Sequence, residues 1–142
     1  KPNIFELQHA AATALGEWGI QEKDPTRLDQ AIRGAQPQAN GQNLIWGWLQ
    51  VADQALSQSA RAAKQDPPQE AFVEKYSDLF FEARLRAAEA RLAAAQLASG
   101  ESRTLQLKTV RQTIATLKQL YPDLGGPRWE SEFARVAKEA EQ

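Results

Sequence analysis

The 142-residue chain contains no cysteine, no methionine and one histidine. The absence of cysteine excludes disulfides, thiolate metal sites and cysteine nucleophiles. It leaves the compartment open, because secreted and cytosolic proteins can both lack cysteine. No apolar run reaches the roughly 18 residues that a membrane-spanning helix needs, so we expect no membrane span. Methionine is missing even at position 1, so we expect the chain to be a processed or excised piece of a longer protein.

An excess of charge of one sign is also missing. Lysine and arginine total 17 against 18 aspartates and glutamates, which gives a formal net charge of -1. Nucleic-acid affinity depends largely on cationic contacts to phosphate, so this balance argues against a nucleic-acid partner. Apolar residues make up 42% and charged residues 25%, as is typical of globular proteins. The length suits a single domain with its own core.

Alternation of period two is absent, and valine and isoleucine are sparse, so the sequence predicts no strands. Helical spacing predicts instead an all-α single domain over residues 1–142. Helix-start signals are present at Asn3, Asp24-Pro25 and Ser102, and Gly19 is a stop signal. The economical arrangement is six helices in three antiparallel hairpins, with helices at residues 4–19, 25–34, 44–63, 68–98, 102–121 and 127–141.

Two helices have informative apolar patterns. The first carries an apolar row on one side, which we expect to face the core: Ile4, Leu7, Ala11, Ala14 and Trp18, with Phe5, Ala12 and Leu15 widening that side. The fourth is apolar on two faces. One face consists of Phe72, Tyr76, Leu79, Ala83, Ala87, Ala90, Ala94 and Leu97, and the other of Phe81, Leu85, Ala88, Leu92 and Ala95. A helix with two apolar faces needs neighbours on both sides, so the fourth helix is predicted to be central.

The segment from about Leu79 to Pro122 has small residues on its first helix and ends its second with Leu120-Tyr121-Pro122. In these features it resembles a tetratricopeptide repeat (TPR), a pair of antiparallel helices. The turn from Ala98 to Arg103 is longer than in a standard repeat, and the family's typical glycine after the leucine is missing. The stretch from Tyr121 to Trp129 is similar to the ends of TPR-like tails on large bacterial proteins.

This resemblance implies a TPR-like solenoid that binds other proteins or peptides. The bacterial cytoplasm and the cell envelope both remain open as its location. The leading hypothesis is therefore a non-catalytic interaction or scaffolding module that is a monomer or a weak homo-oligomer. The alternative is a structural bundle in which the alanine-rich fourth helix pairs with its own copy. A helical-bundle enzyme is the third and least favoured hypothesis.

No catalytic constellation is visible, and we expect no cofactor and no metal. Glu6 and His9 match the Glu-x-x-His motif of di-metal bundles, but that site needs the motif twice and further inward carboxylates. The side of the helix that carries His9, Thr13 and Glu17 is predicted to be solvated. The single histidine would have to serve every general-base role, and no serine lies in a Gly-x-Ser-x-Gly turn.

Four residues are candidates for partner binding: Trp46, Glu82, Arg86 and Glu89. Trp46 projects from an otherwise polar helix face, so it is either an interface residue or is covered by the loop from Pro37 to Gly41. Glu82 and Arg86 are four residues apart, as in a helical ion pair. In tetratricopeptide-like proteins the first helix of each hairpin lines the groove. The resemblance thus implies that Glu82, Arg86 and Glu89 face a partner, and the other reading is a solvated stripe.

The last two helices carry opposite charge. The fifth is basic, with Arg103, Lys108, Arg111 and Lys118, and the sixth is acidic, with Glu130, Glu132, Glu139 and Glu141. We expect these complementary neighbours to pair with each other rather than to recruit an acidic ligand.

Overall fold

The computed structural model describes residues 3–142. Within that range the chain forms six α-helices and one short pair of strands. In order, the elements are α1 (Ile4–Glu22), α2 (Pro25–Arg33), β1 (Ala35–Pro37), β2 (Asn43–Ile45), α3 (Gly47–Ala63), α4 (Glu70–Leu97), α5 (Gly100–Leu120) and α6 (Pro127–Glu139). The predicted all-α class is confirmed. None of the described helices combines the length and apolarity needed to cross a membrane.

The segment that was predicted to be a loop forms a small antiparallel ribbon. Strands β1 and β2 pair in the register Ala35 with Ile45 and Pro37 with Asn43. The prediction that the chain has no strand is wrong here, and so is the predicted start of the third helix at residue 44, because α3 begins at Gly47. Three-residue strands are too short for alternating hydrophobicity to reveal them.

Two of the predicted helix starts are confirmed and one is wrong. Asn3 Oδ1 accepts a hydrogen bond of 2.9 Å from the Phe5 amide at the start of α1. Asp24 accepts from the amides at the start of α2, with proline in the first helical position. Ser102 does not cap α5, because the helix already begins at Gly100. The Ser102 hydroxyl instead accepts a hydrogen bond from the side chain of Gln106.

Gly19 does not end α1, as predicted, but lies inside it. The helix continues to Glu22 and ends at Lys23, which has a left-handed conformation. Gly19 is buried against α2, and a Cβ atom built there would lie 2.7 Å from Leu28 Cγ and 2.9 Å from the Leu28 amide nitrogen. The glycine therefore lets α1 and α2 approach closely.

We expect Gly19→Ala to destabilise the protein by about 1–3 kcal/mol, because the added methyl group overpacks the α1–α2 contact. The control is Gly16→Ala in the same helix, where the new Cβ would meet only Ala31 Cβ at 3.9 Å. Alanine is the better helix former, so this control should be neutral or stabilising by up to about 1 kcal/mol. Urea unfolding of both variants measures the difference. Equal effects of the two substitutions would contradict the close approach.

Helix α4 is central, as predicted, and contacts all five other helices. Its second apolar face is entirely buried. The first face is buried only in its middle, because Phe72 and Leu97 near the two ends are 48% and 39% exposed. Phe80, which belongs to neither predicted face, is also buried. Helix α4 therefore has packed neighbours around most of its circumference.

The apolar row of α1 that was predicted to face the core is mostly exposed. The exposed members are Ile4, Leu7, Ala14 and Trp18. The buried residues are Gln8, Ala12 and Gly19. Phe5 and Leu15 pack against the core from the same side as Ala12. The residues that were predicted to widen the row, Phe5, Ala12 and Leu15, therefore face the core, whereas most of the row itself does not. Periodicity alone could not decide which edge of this apolar side would be buried.

Helices α5 and α6 both pack on α4 and contact each other less than either contacts α4. The predicted pairing of basic α5 with acidic α6 is wrong. Glu132 and Glu139 form ion pairs with Arg135 of their own helix. Arg111 of α5 donates a hydrogen bond to the backbone carbonyl of Ala140, not to a carboxylate. The carboxylates of Glu132 and Glu139 thus pair within α6 rather than with α5.

Candidate functional site

A groove with a cavity volume of about 330 Å³ lies between α1 and α4. Helix α3 packs against both of these helices, and its buried Trp48 lines the groove. The α4 side of the groove carries Glu82, Arg86 and Glu89, three of the four predicted partner-binding residues. Its α1 side is formed by His9, Thr13, Gly16, Glu17 and Ile20. We call this feature the α1–α4 groove.

His9 and Glu82 join the two sides of the groove. His9 Nε2 lies 2.9 Å from Glu82 Oε1, and the His9 ring meets the Trp48 ring edge-on at a centroid distance of 5.2 Å. The His9 side chain is 37% exposed and that of Glu82 24%. The prediction that the His9 side of α1 is simply solvated is therefore wrong. The predicted pairing of Glu82 with Arg86 is absent from the ion pairs of the described residues.

Arg86 and Glu89 belong to a second ionic cluster at the groove. Arg86 donates to Glu89 Oε1 at 2.7 Å, and Arg135 of α6 donates to Glu89 Oε2 at 3.0 Å. Arg135 also contacts two carboxylates of its own helix, Glu132 and Glu139. The hydrogen bond to Glu132 is the largest cause that raises the pKa of the Arg135 guanidinium above its usual value. Glu89 is therefore held in place from two helices.

The groove continues beyond the His9–Glu82 pair into a second cavity of about 340 Å³. Both His9 and Glu82 line this second cavity as well. Phe5 and Tyr76 form part of its wall, and their ring centroids lie 5.2 Å apart. The His9–Glu82 pair thus divides one elongated groove into two compartments.

Trp46, the fourth candidate, lies outside both compartments. It is half-buried, and its ring meets that of Phe5 edge-on at 5.6 Å, so α1 packs against it. The residue that holds this region together is Gln8, which sequence reasoning missed. Gln8 Oε1 accepts from the Trp46 amide at 2.8 Å, and Gln8 Nε2 donates to the Leu44 carbonyl at 3.0 Å. A single glutamine in a helix carries no signal for such a distant contact.

Within residues 3–142, no group of three or more histidine, aspartate or glutamate side chains is arranged to hold a metal ion. The Thr13 hydroxyl donates to the His9 carbonyl at 2.8 Å and so is engaged with its own helix. Neither compartment has a serine in its lining. The arrangement provides charged and hydrogen-bonding groups next to the buried ring of Trp48.

No protein family, characterised protein or solved structure was found to match this chain. The tetratricopeptide resemblance therefore depends on the sequence features between Leu79 and Trp129 that were described above.

Proposed function

We propose that this protein is a non-catalytic, TPR-like interaction module that binds a segment of a partner protein in the α1–α4 groove. The observation that carries the proposal is the convergence of Glu82, Arg86 and Glu89 with His9 and Glu17 around one groove. These residues come from two helices that are far apart in sequence. Binding would be passive, because rigid helices present the groove to an extended or helical peptide.

The composition of the groove supports this proposal. Ligand sites generally combine an apolar surface with a few placed polar groups. Here Ile20, which is 54% exposed, supplies apolar surface, and the His9–Glu82 and Arg86–Glu89 pairs supply fixed charges. Because these charged groups are already held by partners, they lose less side-chain freedom on binding than free side chains would. A peptide would thus meet a preorganised surface.

The same geometry favours binding over catalysis. The His9 imidazole is engaged by Glu82, and the nearest hydroxyl on its helix, that of Thr13, is directed to a backbone carbonyl. A histidine–carboxylate pair needs a nucleophile or a substrate proton within hydrogen-bonding reach to act as a base. Among the described residues, the His9 imidazole hydrogen-bonds to the Glu82 carboxylate and to no hydroxyl or amine side chain. The proposal therefore assigns the groove to recognition.

The alternative, self-association through the alanine-rich helix, has less support. The alanines of α4 that would pair with a second copy are largely buried: Ala83, Ala87, Ala88, Ala90 and Ala95. Helices α2, α3, α5 and α6 of the same chain already surround α4. A second copy would have to displace one of them.

Filling the groove should weaken peptide binding. Peptides that bind the wild-type domain would first be selected from a random peptide display library, and their affinities measured by fluorescence anisotropy. We expect Thr13→Trp to weaken these peptides by about tenfold or more, equivalent to about 1.4 kcal/mol, because the indole would occupy the groove. The matched control is Ala10→Trp, which adds the same side chain at an exposed position of α1 outside both compartments.

The proposal fails if no peptide binds the domain or if Thr13→Trp and Ala10→Trp bind the peptides equally well. Circular dichroism of both variants distinguishes lost binding from lost folding. Amide hydrogen exchange with and without peptide provides an independent test. Protection should concentrate on α1 and α4 around Thr13 and Glu82, and protection confined to α5 or α6 would place the site elsewhere.

A further inference from the structure

A second groove lies between α4 and α5, and it shares no lining residue with the α1–α4 groove. It consists of two neighbouring cavities of about 330 and 210 Å³, both of which are lined by Arg91. Arg33 of α2 lines the first cavity and Arg84 of α4 the second. Helix α5 supplies threonine hydroxyls along both cavities. We call this feature the arginine groove.

The positive charge of the arginine groove is largely uncompensated. Arg33 pairs with Asp29 at 2.8 Å. Among residues 3–142, no carboxylate lies within ion-pair distance of Arg84 or Arg91, and Arg84 Nε is buried without a hydrogen-bond partner. Burial lowers the pKa of the Arg91 guanidinium, and repulsion from Arg33 and Arg84 lowers it further. Gathering three guanidinium groups without enough carboxylates is unfavourable unless an anion joins them.

We propose that the arginine groove binds an acidic peptide segment of a partner protein, whose carboxylates pair with Arg84 and Arg91. Guanidinium groups match carboxylates in shape and can donate two parallel hydrogen bonds to each. On the α5 side, the hydroxyls of Thr109 and Thr113 donate to backbone carbonyls of their own helix. The further hydroxyl donor of the groove is therefore Thr116, which is exposed and lines the second cavity. This site is separate from the groove of the proposed function and does not depend on it.

The spacing of the two arginines indicates the form of the peptide. Arg84 and Arg91 are seven residues apart in α4, which corresponds to about 10.5 Å along the helix axis. In a polyproline II segment, residues three apart lie on the same side and are about 9 Å apart. An extended segment with two acidic residues separated by two others therefore presents its carboxylates at a matching distance.

A peptide suits this groove better than a nucleic acid does. Single-stranded nucleic acids bind through stacking on exposed aromatic rings and through many phosphate contacts. The aromatic residue of the arginine groove is Phe133, which is 1% exposed and so offers no free ring face. Leu120, which is 68% exposed, lines the second cavity and can contact an apolar residue of a peptide.

The test uses the whole 142-residue chain and fluorescently labelled peptides. The probe is Pro-Glu-Pro-Pro-Glu-Pro, and the reference peptide has glutamine in place of both glutamates. Affinities are measured by fluorescence anisotropy at low salt and at physiological salt. We expect the glutamate peptide to bind at least tenfold more tightly than the glutamine peptide, because each charge-assisted hydrogen bond contributes substantially to affinity. Its affinity should fall as salt is raised.

The variants are the double substitution Arg84→Gln with Arg91→Gln and the control Arg61→Gln. Arg61 is exposed on α3 and lines neither cavity, so its substitution makes the same type of charge change at a remote site. The double variant should lose about tenfold or more in affinity for the glutamate peptide, and Arg61→Gln should bind as the wild type does. Circular dichroism establishes that each variant is folded. If the double variant does not fold, the single Arg91→Gln variant takes its place.

Three results would overturn the proposal. The first is equal binding of the glutamate and glutamine peptides, or no binding of either. The second is a folded double variant that binds as tightly as the wild type. The third is that a single-stranded oligonucleotide binds the wild-type protein more tightly than the glutamate peptide does, and that the double variant no longer binds this oligonucleotide. That result would make the groove a nucleic-acid site.

Discussion

Gly47→Ala is expected to destabilise the protein by about 3 kcal/mol or more, because two separate costs add at this position. Gly47 has a φ of 78°, a conformation that side-chain-bearing residues rarely adopt. A Cβ atom there would also lie 2.3 Å from the Gly34 backbone nitrogen and 2.8 Å from the Ile32 carbonyl oxygen. Backbone atoms at the end of α2 cannot move aside as a flexible side chain can, so the junction of α2 and α3 would have to open.

The control for this prediction is Gly41→Ala. Gly41 has a similar φ of 82°, but no atom lies within 4 Å of a Cβ built there. Its substitution should therefore cost only the conformational term, about 1–2 kcal/mol. Urea unfolding of both variants at matched protein concentration gives the difference directly. Equal losses would mean that the close backbone contact contributes nothing measurable.

The same substitution links the fold to the candidate site. Gly47 is followed directly by Trp48, whose buried ring contacts the His9 ring edge-on in the α1–α4 groove. A displacement at the start of α3 would move this ring and the imidazole that contacts it. Peptide binding in the groove should thus weaken in Gly47→Ala even where the variant remains folded, whereas Gly41→Ala should bind normally.

The number of helices and the central position of α4 could be predicted because they follow from periodic patterns. The two apolar faces of α4 extend over many turns, and chance rarely maintains such spacing. The positions of single contacts could not be predicted. Gly19 has the appearance of a helix stop in sequence, and only the packing of Leu28 against it shows why the helix continues. The ribbon between α2 and α3 is too short for a periodic signal.

Only the α4 side of the candidate site was predicted from the sequence. Glu82, Arg86 and Glu89 share a stripe of α4, so helical spacing placed them together. Their partners come from elsewhere: His9 is 73 positions from Glu82 in sequence, and Arg135 is 46 from Glu89. The arginine groove was missed for the same reason, because Arg33 and Arg91 lie on different helices and become neighbours only when α2 packs on α4.

Phe133→Ala should cost about 3–5 kcal/mol, a large part of the stability of an ordinary domain. Phe133 is 1% exposed and lies in the middle of the α6 face that packs on α4. Truncation would remove the buried ring and leave a cavity that the surrounding helices cannot fill completely. Because α6 also carries Arg135, we expect the contact with Glu89 to loosen together with the helix.

Phe72→Ala makes the same chemical change on the exposed end of α4 and serves as its control. Phe72 is 48% exposed, and its main aromatic neighbour is Tyr76 at a centroid distance of 6.4 Å. Much less apolar surface would return to water, so its cost should be about 1 kcal/mol. Thermal and urea unfolding of both variants tests the difference. A small effect of Phe133→Ala, comparable to that of Phe72→Ala, would mean that α6 is not an integral part of the core.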